Sequence, residues 1–144
     1  MTIDSGCVAC ALPVGVASAI GMQQLNRTPQ EYIANAEKIR ELGFKTPTLK
    51  FQNGDVQNLK FSVMDKLHKP LVAACKVVAA GDRIVLQPEN QGASFIKGVR
   101  SKRKKQIFER SGVYVLPCWV VKQNSQKRLA PLVKSCPNDW QVYP

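Results

Sequence analysis

Ile3-Asp4-Ser5-Gly6-Cys7, with the apolar run behind it from Val8 to Met22, decides how this chain is read. Asp4 is the only acid among the first thirty residues and sits in a Gly-containing loop between apolar segments. A carboxylate costs several kcal/mol to desolvate unless something satisfies it, so its place there needs a cause. Two causes are open. Asp, Ser and Gly are turn formers, and the tripeptide by itself is an ordinary turn. Alternatively the carboxylate is kept for chemistry, a choice that rests with the remainder of the chain.

The totals bound the answer. A chain of 144 residues suffices for one domain with a real core and is too short for two comfortable ones. Apolar residues at 44% and charged residues at 22% match an ordinary globular domain, which argues against disorder throughout. The net charge of +11 points toward nucleic acid or another acidic partner. Cysteines at 7, 10, 75, 118 and 136 form an odd set without a regular framework. That speaks against a disulfide-stapled secreted domain and favours a reducing, intracellular and cytoplasmic setting. Cys7 and Cys10 have the spacing of a metal knuckle, but no second Cys or His pair completes four ligands, so neither a metal nor a cofactor is expected. His68 is the only histidine, flanked by Lys69, and gives no support to a Ser-His or Cys-His hydrolase. The run from Cys7 to Met22 lacks a basic leader. It is also shorter than a bilayer span and broken by Pro13 and Gly15, so it reads as protein interior, with no membrane partner.

Taken in order, Met1 to Ile3 forms the end of a strand, and Val8 to Pro13 a second short one. Val14 to Leu25 reads as a short helix, weakened by Gly15 and Gly21. Two readings stay open beyond it. Tyr32 to Arg40 fits a hairpin turning at Asn35, whereas Pro29 to Leu42 has the propensity of a helix. Thr48-Leu49-Lys50-Phe51 alternates, Gln52-Asn53-Gly54-Asp55 supplies a turn, and Leu59 to Val63 alternates again, predicting a hairpin with one wet face. Pro70 and Gly81 bracket a short, almost wholly apolar helix that should be buried. Asp82 to Leu86 reads as a strand. Val113 to Leu116 and Trp119 to Val121 read as one last strand interrupted by Pro117. From Lys122 to Pro144 the sequence turns polar, giving a domain over 1–121 and a tail or linker over 122–144.

The order of these segments is more informative than any one of them. Ile3-Asp4-Ser5-Gly6-Cys7 with Leu12-Pro13, then the apolar stretch Lys69 to Gly81 with Ile84-Val85-Leu86, then Gly112-Val113-Tyr114-Val115-Leu116 form an ordered set. This set resembles the retropepsin-like aspartic protease domain, most closely the protease segment of Copia-type retrotransposon polyproteins. The resemblance implies a mainly β fold, a small closed or partly open barrel of hairpins with one short buried helix. It implies that Asp4 is the catalytic carboxylate, that Ser5 stands for the commoner Thr, and that Gly6 allows the tight turn. Two such carboxylates about 3 Å apart cannot both ionise, and they share a proton while activating a water. One chain carries one Asp-Ser-Gly, so the implied enzyme is a two-fold homodimer acting on a polyprotein or peptide substrate. The implied flap is the hairpin of Tyr32, Ile33, Ala34, Asn35, Ala36 and Glu37. Ala36 stands where many relatives carry Gly, which makes a φ > 0 turn costlier. Leu71-Val72-Ala73-Ala74 lacks the Gly-Arg pair that retroviral members carry before the helix.

A competing reading comes from the basic run Lys97 to Lys105, with Lys97, Arg100, Lys102, Arg103, Lys104 and Lys105 and no acid. As a plain hairpin tip it is a solvated turn. As a phosphate-backbone patch it would bind nucleic acid without sequence preference, with Phe95, Phe108 and Tyr114 as stacking platforms. Three expectations therefore stand side by side: a dimeric aspartic endopeptidase, an inactive protease-like copy, and a basic nucleic-acid-binding β module.

Overall fold

The computed structural model describes residues 1–20, 28–34, 36–99 and 102–121. In chain order the strands and helices are β1 (Thr2–Asp4), β2 (Ala11–Pro13), α1 (Val14–Ile20), β3 (Glu31–Ala34) and β4 (Glu37–Lys45). There follow β5 (Thr48–Phe51), β6 (Val56–Asn58), β7 (Phe61–Met64), β8 (Leu71–Ala73) and α2 (Ala74–Ala79). The chain then continues through β9 (Arg83–Val85), β10 (Phe95–Lys97), β11 (Lys104–Gln106), β12 (Phe108–Arg110), β13 (Val113–Val115) and β14 (Cys118–Val121). The fold is mainly β, as expected. Eight strands form one sheet in the order β12-β13-β1-β8-β2-β7-β4-β3. Two smaller sheets run β11-β10-β9 and β14-β5-β6.

β1 and β2 are consecutive in sequence yet do not pair with each other. β8, from the other side of the chain, runs between them. It lies parallel to β1, with Ile3 opposite Val72 and Asp4 opposite Ala73, and antiparallel to β2, with Ala11 opposite Leu71. β13 closes the other side of β1, pairing Thr2 with Val115 and Ile3 with Tyr114. Main-chain hydrogen bonds from Thr2 N to Pro70 O at 2.9 Å and from Leu116 N to Met1 O at 2.7 Å extend both ladders. With neighbours on both edges, β1 leaves few main-chain groups to water, and its three residues stay extended.

The three sheets share one core. Leu12, Phe61 and Val72 of the large sheet pack with Leu49 and Phe51 of β5, Ile96 of β10 and Val120 of β14. Each such side chain contributes about 1.5–3 kcal/mol on burial. Period-two patterning places them. Thr48-Leu49-Lys50-Phe51 alternates half-buried and buried, as its sequence predicts.

Several expectations need correction. No sheet closes into a barrel among the described residues. Among the described residues there are two helices: α1 forms within the stretch read as a helix from Val14, but α2, expected to be buried, has no fully buried residue, with Val78 59% exposed. The apolar stretch from Pro70 splits because Leu71 to Ala73 fill the gap between β1 and β2, and only Ala74 onward is free to coil. Gly81, at φ +92°, then ends the helix, donating its N–H to Val78 O at 2.9 Å. β5 turns into β6, not into 59–63, and β7 pairs instead with β2 and β4. The last strand is two strands in different sheets, redirected at Leu116-Pro117. The segment 122–144, expected as a tail, lies outside the described residues.

The basic run also divides. β10 and β11 pair Ile96 with Lys105, so Lys105 points inward where its neighbours point out. Its ammonium is buried, 3.3 Å from Asp55 Oδ2 and 5.1 Å from the centre of the Phe51 ring. Asp55 is itself fixed in the β5–β6 turn, receiving the Asn53 amide at 2.9 Å. This ion pair ties the β10–β11 hairpin to the β5–β6 hairpin. Removing one partner strands a charge. Asp55→Ala should therefore lower unfolding free energy by about 3 kcal/mol, read by urea titration. Asp55→Ala combined with Lys105→Met should recover part of the loss, because no ammonium is then left unpaired.

Candidate active site

Asp4 is the last residue of β1 and stands beside Ala73, the residue before α2. The chain from Ser5 to Cys10 then loops over the start of α2 before re-entering the sheet as β2. Asp4 is half-buried, and Ser5 and Gly6 are exposed. Asp4 Oδ1 accepts the Gly6 N–H at 2.8 Å, closing an Asx-type turn. Oδ2 takes no hydrogen bond among the described residues. The Asp-Ser-Gly turn is thus built by the carboxylate itself. Gly6 is not in the left-handed region, and a Cβ added to it would meet Asp4 Oδ1 at 3.4 Å, a borderline ordinary contact. The Asp-Ser-Gly turn therefore makes no use of the left-handed backbone that favours glycine.

Three thiols surround this loop. Cys7 Sγ donates to Ala9 O at 2.6 Å, and Cys75 on α2 reaches Cys7 O at 3.5 Å, joining helix to loop. Burial pushes the Cys7 thiol up, opposed by a main-chain hydrogen bond at Ala9, with the Asp4 carboxylate and Cys75 adding to the rise. Burial likewise raises Cys10, against the Ala73 main chain. The Cys7 and Cys10 thiols thus stay neutral at physiological pH and act as small apolar packing groups. No group of His, Cys, Asp and Glu able to hold a metal occurs among the described residues.

The second part of the site is the hairpin of β3 and β4. The sequence left helix and hairpin open, and the hairpin is what forms. Glu37 to Arg40 pair only with β3, whereas Glu41 to Lys45 pair with β7, so the outer half projects beyond the sheet as a two-stranded ribbon. Long-range pairing of β4 with β7 overrides the local helix propensity. The root of the ribbon is fixed at Glu41, which is 1% exposed. Its carboxylate accepts Gln30 N at 3.3 Å, and its own N–H donates to Gln30 O at 3.0 Å. The ladder shifts register between Glu41 and Gly43, a bulge that bends the ribbon away. Just past the end of β7, Asp65 accepts the Arg40 N–H at 2.6 Å. At the outer end, Ile33 is 79% exposed, Glu37 is exposed, and Ala36 takes φ +63°. Asn35 lies outside the described residues. Tyr32 is half-buried, its hydroxyl donating to Gln30 Oε1 at 2.8 Å.

Loop and hairpin meet across one cleft of about 510 Å3, with Val8 and Ala9 on one wall and Tyr32 on the other. Cys10, Gln30 and Ser62 also line it, as do Leu59, Lys60 and Lys76. None of these three was singled out from the sequence. Lys76 falls in a stretch read as buried helix, and Leu59-Lys60 in a stretch read as strand. The signal for Glu41 was available, an acid at an inward-facing position between Ile39 and Gly43, but only once the hairpin is preferred to the helix.

Of the basic run, Lys97, Lys102, Arg103 and Lys104 are exposed. Arg103 donates to Asn53 O at 3.3 Å, and Lys104 sits 4.0 Å over the Phe95 ring. Lys105 is buried in its ion pair and drops out of any nucleic-acid surface. Phe95, Phe108 and Tyr114, the expected stacking platforms, are half-buried. Arg100 lies outside the described residues.

Two measurements follow from this geometry. Ala36→Gly removes a left-handed strain on an L-residue and should stabilise the protein by about 0.5–1 kcal/mol in urea unfolding. Burial raises the Cys118 thiol from 9.0 to about 11. An acid with a raised folded value stabilises fully below the unfolded value, so stability should fall as pH climbs from about 9 to 11, by about 2–3 kcal/mol relative to Cys118→Ala. Compared with family models, curated proteins and solved structures, the chain matches none.

Proposed function

We propose that this chain is an aspartic endopeptidase of a retroelement polyprotein, active as a two-fold homodimer with one Asp4 from each copy. The observation that carries the reading is the placing of Asp4. A half-exposed carboxylate ends a doubly paired strand, with one oxygen held by the Gly6 N–H, and Val8 and Ala9 of the loop that follows it face a projecting hairpin across a cleft. In the dimer, the two Asp4 groups share a proton. The ionised one takes a proton from a water, which attacks the scissile carbonyl, while its neutral partner donates a hydrogen bond to the carbonyl oxygen. Val8 in the loop is 64% exposed, and with Ile33 on the ribbon it offers apolar surface to a second copy or a bound peptide. The ribbon acts as the flap over the substrate. No described helix is long and apolar enough to cross a membrane. The free thiols at Cys7, Cys10, Cys75 and Cys118 suit a reducing, cytoplasmic setting.

A second reading rests on the exposed cations Lys97, Lys102, Arg103 and Lys104 around one hairpin: a basic module that holds nucleic acid through its phosphates, with Asp4 a turn residue only. Asp4→Asn separates the two. Under the protease reading it abolishes cleavage of an apolar peptide at acidic pH and leaves retention on a heparin column unchanged. Native protein that sediments as a dimer, cleaves no peptide and binds no pepstatin overturns the enzyme and leaves an inactive protease-like copy.

A further inference from the structure

The cleft between the Asp4 loop and the ribbon has a charge pattern that the protease reading does not require. Its lining is apolar at Val8, Ala9 and Leu59 and polar at Gln30, Tyr32 and Ser62, with Lys60 contributed by the residues just before β7 and Lys76 by α2. No carboxylate lines it among the described residues. Lys76 stands on α2, one residue after Cys75, whose thiol touches the Asp4 loop. Lys60 precedes β7, its ammonium 4.6 Å from the centre of the Phe44 ring. Neither lysine forms an ion pair among the described residues, whereas Lys38, Arg40 and Lys105 all do. Two lysines lining one cleft, with no carboxylate among its described lining residues, create a positive potential, which an apolar stem ending in a carboxylate would complement.

We propose that this cleft is a specificity subsite for an acidic residue, Asp or Glu, of the bound peptide, read by Lys60 and Lys76. The assignment rests on the proposed function for its link to cleavage, but the binding itself does not. The carboxyl-bearing stem lies against Val8 and Leu59, and the two ammoniums meet its head at the cleft rim. A Gln side chain of the same shape fills the slot without the charge, and a Lys side chain is repelled.

The test uses fluorescein-labelled octapeptides of apolar residues in which one guest position, moved along the peptide, is Glu, Gln or Lys. Binding is read by anisotropy on the full chain carrying Asp4→Asn, so that turnover does not intervene. At one guest position the Glu peptide should bind about 3- to 10-fold tighter than the Gln peptide, since two exposed ion pairs are worth modest amounts each. The preference should vanish in about 1 M salt, where charges are screened beyond about 3 Å. It should invert toward the Lys peptide in Lys60→Glu/Lys76→Glu, with folding checked by circular dichroism. Equal binding of Glu and Gln peptides at every position overturns the inference, as does a Glu preference that survives the double charge reversal. A Glu preference in binding with no cleavage by wild-type protein removes the protease and leaves the subsite standing. Cleavage without any Glu preference does the reverse.

Discussion

The insertion of β8 between β1 and β2 is the constraint on which the remaining architecture depends. β1 has three residues, too few to hold a position by itself. It gains a fixed one by pairing on both edges, parallel with β8 and antiparallel with β13, which come from residues 71–73 and 113–115. Closing such long loops is entropically unfavourable, by amounts that grow only slowly with length, and the ladder and the core behind it offset that cost. The outcome is that Asp4, at the end of β1, is aligned with the start of α2, and the loop after it must pass over that helix.

A second consequence concerns the hairpin. Because β2 pairs on its other side with β7, and β7 with the inner half of β4, the same sheet that places Asp4 also places the root of the ribbon. Loop and ribbon are therefore two ends of one rigid ladder, and the cleft between them inherits its width from strand spacing. The buried Glu41 carboxylate fixes the point where the ribbon leaves the sheet, because an acid at that depth must keep its hydrogen bonds. Electrostatics play the same part between the β5–β6 and β10–β11 hairpins, which Lys105 and Asp55 hold together. A net charge of +11 thus does not translate into an equally large binding surface, since one of its cations is consumed inside the fold.

Local chemistry determined a good deal of this. The Asp-Ser-Gly turn, the strand at Thr48–Phe51 with its wet and dry faces, the Gly81 helix stop and the β9 and β13 strands follow from turn propensity, two-residue alternation and backbone freedom, all of which act within a few residues. Strain at Ala36 follows once the hairpin forms, because the tight turn between Ala34 and Glu37 puts Ala36 in left-handed backbone. What only the tertiary structure decided is which apolar segment becomes a strand and which lysine goes inside. Leu71-Val72-Ala73 leaves its helical pattern because an unfilled slot between two strands offers main-chain partners on both sides. Tyr32 to Arg40 becomes a ribbon because β7 is there to receive the continuation of β4. Lys105 turns inward because its register opposite Ile96 brings it to Asp55, fifty residues away in sequence. Hydrogen-bond partners and counter-charges that distant leave no periodicity in the chain, so no reading confined to neighbouring residues contains them.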